Sequence, residues 1–130
     1  MKIGFDYWQV VSHYPKEFRE MHAAFENFAD EVFVISAIGK GRIGTVGKDV
    51  ENTPGWGGFN PDWYKTHVVE VVFKNSSESP ERKLAKCKAL GIQIFFDDRQ
   101  DVCDLLNANG ILAFKVPRKD NTTDLEGERI

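Results

Sequence analysis

Apolar residues in this chain gather into short continuous runs that alternate with segments of helical period. Lys2 to Phe5 is a brief apolar run ending on a carboxylate, Asp6. Beyond Ser12-His13-Tyr14-Pro15, apolar side chains recur at Phe18, Met21, Phe25 and Phe28, and this spacing of three and four predicts a helix. Residues 31–36 are β-branched and aromatic without alternation, as in a parallel strand covered on both faces. Residues 68–73 predict a third strand. Asn75-Ser76-Ser77-Glu78-Ser79-Pro80 is turn chemistry, followed by a helix with Leu84, Cys87 and Leu90 on one face and Gly91 as its stop. A fourth strand over 92–96, a helix carrying Val102, Leu105 and Leu106, the stop Asn109-Gly110 and a fifth strand over 111–116 complete the pattern.

Five runs interleaved with helices predict an α/β fold, a Rossmann-like parallel sheet of about five strands with helices on both faces, because each parallel connection needs a crossover. The expected organisation is one domain over 1–117, with an insertion at 39–66 and a polar tail at 118–130. Residues 39–58 are rich in glycine and lack a period. They read as a long loop that carries at most a short helix started by Asn60 and Pro61. The insertion is too short for a large cap domain.

Charge and cysteine content narrow the classes. Lys and Arg number 17 against 20 Asp and Glu, a net charge of -3, and no basic stripe follows a phosphate backbone, so nucleic-acid binding is not implied. No apolar stretch approaches the ~18 residues of a membrane span or forms a signal peptide, and the expectation is a cytoplasmic protein. Cys87 and Cys103 sit in helix-like patterns without a Cys-x-x-Cys spacing and read as buried free thiols, with a disulfide or metal site as the alternative.

In an open parallel sheet, ligands bind beyond the carboxyl ends of the strands. The residues there are Asp6, Ser36 and the pair Asp97-Asp98, with Asp101 close behind. Any one of them alone reads as a cap or turn residue. Adjacent acids after a buried strand are electrostatically costly unless a cation offsets them, and an all-oxygen donor set suits Mg²⁺. Asp6, Ser36, Lys83 heading a helix, and Asp97-Asp98 with Asp101 stand in an order that resembles the four motifs of the haloacid dehalogenase superfamily, over residues 2–116. Lys86 and Lys88 compete with Lys83 for the third motif.

The resemblance implies a Mg²⁺-dependent phosphohydrolase or phosphotransferase acting on a small phosphorylated metabolite or nucleotide. It implies Asp6 as the nucleophile that forms an aspartyl-phosphate, with Ser36 and Lys83 on the phosphoryl oxygens. Asp6, the backbone carbonyl of Trp8, and Asp97 or Asp98 are the implied metal ligands. Phosphatases of this family carry an acid/base aspartate two places after the nucleophile, where this chain has Trp8. An indole performs neither task, so a catalytically weakened binding or protein-interaction module is the alternative, and His13 in the same loop is one conceivable substitute. The glycine-rich segment from Gly39 to Thr45 lacks the lysine of a phosphate loop, although Lys40, Arg42 and Lys48 lie where a phosphate could approach. Trp56, Phe59, Trp63 and Tyr64 read either as packing of the insertion or as a stacking wall.

Overall fold

The computed structural model describes residues 1–28 and 30–119. Five strands, β1 (Lys2–Phe5), β2 (Glu31–Gly39), β3 (Val68–Phe73), β4 (Ile94–Asp97) and β5 (Leu112–Lys115), form one sheet in the order β3-β2-β1-β4-β5. Every neighbouring pair is parallel. The helices are α1 (Pro15–Glu26), α2 (Val46–Glu51), α3 (Pro61–His67), α4 (Ser79–Leu90) and α5 (Gln100–Ala108). The fold is α/β and Rossmann-like, with no large cap. No helix among the described residues is long and apolar enough to cross a membrane.

Strand residues alternate between two cores, which explains the uninterrupted apolar runs. Ile3, Phe5, Val32, Val34 and Ile38 pack with Phe18 of α1 and with Val46, Val50 and Trp56 of the insertion. Phe33, Ile35, Val71 and Phe95 face Cys87 of α4 and Val102, Cys103 and Leu106 of α5. Gly4 matters here: a Cβ at that position would lie 2.5 Å from Cδ1 of Phe95, so the ring of β4 occupies the space a β1 side chain would need.

Several boundaries differ from the expectation. β2 continues through Ala37 and Ile38 to Gly39, which puts Ser36 inside the strand and not after it. The glycine-rich segment contains α2, whose Val46 and Val50 face the core. Its entry is fixed by Glu70 of β3, whose carboxylate accepts the backbone N–H groups of Gly44 (2.8 Å) and Val46 (3.1 Å). α3 starts as expected, with Asn60 Oδ1 accepting from Asp62 N at 2.9 Å and Pro61 at the first position. Phe28 lies beyond the end of α1 and is 79% exposed. Beyond Lys119, the expected polar tail lies outside the described residues.

The aromatic residues of the insertion pack against α1. Trp56 is fully buried, Phe59 stacks on Trp63 with centroids 4.2 Å apart, and His22 of α1 meets Trp56, Phe59 and Trp63 edge-on. This burial depresses the His22 pKa to about 4, with the neighbouring Arg19 acting in the same direction. Both cysteines are free and buried, and burial pushes each thiol up to about 12.

Candidate functional site

The strand order reverses between β1 and β4, which are neighbours although the chain places β2 and β3 between them. Their carboxyl ends lie side by side: Phe5 pairs with Phe96, and Asp6 N–H donates to Phe96 O at 2.9 Å. Asp6 and Asp97 are therefore adjacent because of register, with Asp98 following directly. All three are buried, and carboxylate oxygens from the three lie within 4.8 Å of one another.

Lys83 supplies a cation to two of the three carboxylates. α4 begins at the carboxyl side of the sheet, where a capping box formed by Asn75 and Glu78 sets the turn before it. Lys83, in its second turn, points inward one turn before Cys87 and is fully buried. Its Nζ donates to Asp97 Oδ2 at 2.7 Å and to Asp6 Oδ1 at 3.2 Å. Lys86 and Lys88 are part-buried and exposed respectively on the outer side of the helix. Of the three candidate lysines, Lys83 is the one the fold brings to the carboxylates.

Two arginines complete the charge arrangement. The Arg99 backbone N–H donates to Asp97 Oδ1 at 2.9 Å, while its buried guanidinium holds Asp101 through Nε (3.0 Å) and Nη2 (2.7 Å) and donates to the Ser76 carbonyl. Asp101 is thus drawn to Arg99 and does not join the three-carboxylate group. Arg118, just past β5, donates from Nε to Asp98 Oδ2 at 2.6 Å. Lys83 and Arg118 thus each bring a positive charge to the Asp6-Asp97-Asp98 cluster. Sequence reading gives no role to either arginine, yet the Asp-Asp-Arg-x-Asp string itself signals that buried acids need counter-ions nearby.

The segment after Asp6 is a tight turn over Tyr7–Val11. Trp8 has extended backbone (φ -70°, ψ 131°), and Gln9, buried, takes the left-handed conformation at φ 69°. A non-glycine residue held there costs on the order of 1–3 kcal/mol, and such strain concentrates at functional sites. The turn is pinned by Tyr7, whose hydroxyl lies 3.2 Å from Asp49 O and 3.0 Å from Thr53 Oγ1. The Trp8 ring meets His13 edge-on at 5.1 Å, and Ser12 Oγ lies 2.8 Å from His13 Nδ1 while accepting the Gln9 N–H at 2.9 Å. His13 therefore stands beside Trp8, two residues after Asp6.

Comparison with protein-family models, curated proteins and solved structures finds no match.

Ser36 is buried in β2 opposite Glu70 and makes no hydrogen bond with the cluster among the described residues. Arg42 pairs with Asp49 at 3.5 Å. Lys48 and Lys65 line a cavity of about 450 Å³ with Glu51, Phe59 and Tyr64, and none of the three clustered carboxylates borders it.

Asp6, Asp97 and Asp98 form a group that could hold a metal ion, and an all-oxygen donor set is the kind that hard divalent cations take. Lys83 lies beside two of the same carboxylates.

Proposed function

We propose that this chain is a Mg²⁺-dependent phosphohydrolase or phosphotransferase of the haloacid dehalogenase type, acting on a small phosphorylated metabolite or nucleotide. The observation that carries the reading is the ion pairing of Lys83 with both Asp6 and Asp97 at the point where the strand order reverses. It joins three of the residues singled out in the sequence in one buried group. Asp6, Asp98 and the Trp8 carbonyl are the proposed ligands of Mg²⁺, with Asp97 as the other carboxylate of the set. When bound there, the ion would supply charge neutralisation for the transferring phosphoryl group.

Asp6 attacks phosphorus in line with the leaving oxygen; a bond forms from the carboxylate to phosphorus as the ester P–O bond breaks, giving an aspartyl-phosphate. Lys83 donates to the non-bridging oxygens, where negative charge is concentrated. In hydrolysis, water then cleaves the acyl phosphate and restores the Asp6 carboxylate. Trp8 cannot protonate the leaving oxygen or deprotonate that water, which slows both half-reactions by on the order of 10²- to 10⁴-fold relative to an aspartate there. Substrates with a good leaving group are accordingly favoured.

Trp8 also supports a second reading, a binding module that keeps the carboxylate cluster and has lost turnover. A screen of phosphoesters with Mg²⁺, comparing the natural chain with Asp6→Asn, separates the two. Activity that the substitution abolishes supports the enzyme, and absence of turnover on every phosphoester supports the module. In Trp8→Asp, a gain of hydrolysis shows that only the proton-transfer group was missing.

A further inference from the structure

The chain leaving β5 runs across the edge of the carboxylate cluster. Val116 N–H donates to Asp97 O at 2.8 Å, and Pro117 O accepts from the Tyr14 hydroxyl at 2.5 Å. Lys119 Nζ lies 4.5 Å from the centroid of the Tyr14 ring. Between these anchors, Arg118 places Nε 2.6 Å from Asp98 Oδ2, with the Arg118 side chain 7% exposed and that of Asp98 3% exposed. The strap thus ties the exit of β5 to Tyr14, the residue before α1, and to one member of the cluster. Lys83 serves Asp6 and Asp97; the counter-ion of Asp98 comes from this strap.

We propose that Arg118 is a built-in counter-cation for Asp98 and that residues 117–119 form a latch opened by a divalent cation. The inference rests on the reading that such a cation binds the cluster. A guanidinium and a divalent ion on one buried carboxylate repel each other strongly at the low effective dielectric of the site. The divalent ion, with twice the charge and three carboxylates to bind, displaces the arginine. Without it, Arg118 keeps Asp98 from remaining buried and uncompensated, a state that is strongly unfavourable. The ion binds the open form more tightly than the closed one, and this difference is what shifts the strap. Cation loading therefore opens this edge of the site.

Two measurements on the full chain test the latch. Calorimetric titration with MgCl₂ compares the natural chain with Arg118→Gln and Arg118→Lys. Loss of a charge-assisted hydrogen bond to the competing group tightens Mg²⁺ binding about ten- to a hundredfold in Arg118→Gln, and Arg118→Lys stays closer to the natural chain. Limited trypsin digestion of the natural chain, followed by mass spectrometry of the fragment ending at residue 118, reads the strap directly, since trypsin must take the Arg118 side chain into its own pocket. Mg²⁺ is expected to accelerate that cut. Unchanged Mg²⁺ affinity in Arg118→Gln, or a cleavage rate indifferent to a cation that calorimetry shows to be bound, overturns the latch and leaves the metal site standing. Failure of both the natural chain and Arg118→Gln to bind Mg²⁺ overturns the latch together with the reading beneath it.

Discussion

Lys83 Nζ lies 2.7 Å from Asp97 Oδ2, and both side chains are fully buried. The pair joins α4 to the end of β4, and the same ammonium reaches Asp6 at the end of β1. The two strands flanking the reversal of the sheet are thereby held to one helix by charge as well as by packing.

Removing that charge leaves two carboxylates buried without their main counter-ion. Lys83→Met is expected to lose about 3–5 kcal/mol of stability in urea unfolding, as breaking buried ion pairs generally does. Asp97→Asn in the same background should recover part of the loss, since it removes one of the stranded charges. A loss below about 1 kcal/mol in the single variant would show that the pairing contributes little to the fold.

Gly4 carries a second structural demand on the site. A methyl group at Gly4 would meet the Phe95 ring at 2.5 and 2.7 Å, and Lys83 Nζ lies 6.0 Å from the centroid of the same ring. Gly4→Ala should cost about 1–3 kcal/mol through overpacking. Combining it with Phe95→Leu should relieve some of that cost. Denaturation of the two single variants and the double variant measures the coupling; strict additivity would contradict the contact.

His22 makes stability depend on pH. Its folded-state pKa is depressed to about 4 from 6.5, so between these values the unfolded chain binds the proton more readily than the folded one. Stability from this group is fully present above about pH 6.5 and is lost as pH falls towards 4, by on the order of 2 kcal/mol. His22→Gln should flatten that part of the stability profile. An unaltered slope would mean that the aromatic cluster around His22 does not exclude its charged form.

The alternation of apolar runs and helical segments made the architecture legible, because strands buried on both faces cannot hide their hydrophobicity. The same pattern ends a run too early at Ser36: a polar residue resembles the end of a strand that in fact continues through Ala37 and Ile38. α2 escaped notice because Val46 and Val50 provide only one apolar pair among glycines, and its entry depends on Glu70, distant in sequence. Asp6 and the Asp97-Asp98 pair were visible as acids ending apolar runs. The choice of Lys83 over Lys86 and Lys88 needed the family resemblance, and burial separates the three in the structure. Arg99 and Arg118 were not legible as site residues, since an arginine in a string looks solvated until the fold shows which carboxylate it meets.

Covalent capture of the phosphoryl group tests the central claim most directly. Acetyl phosphate has a leaving group that needs no protonation, so under the proposed reaction Trp8 would not hinder the first half-reaction, while the lack of a water-activating base there would prolong the acyl phosphate. Incubation with acetyl phosphate and Mg²⁺, followed by acid quench and mass spectrometry, is expected to show a hydroxylamine-labile phosphoryl adduct on Asp6 that is absent without Mg²⁺ and absent in Asp6→Asn. No adduct on the natural chain, or an adduct that persists in Asp6→Asn, would contradict the account.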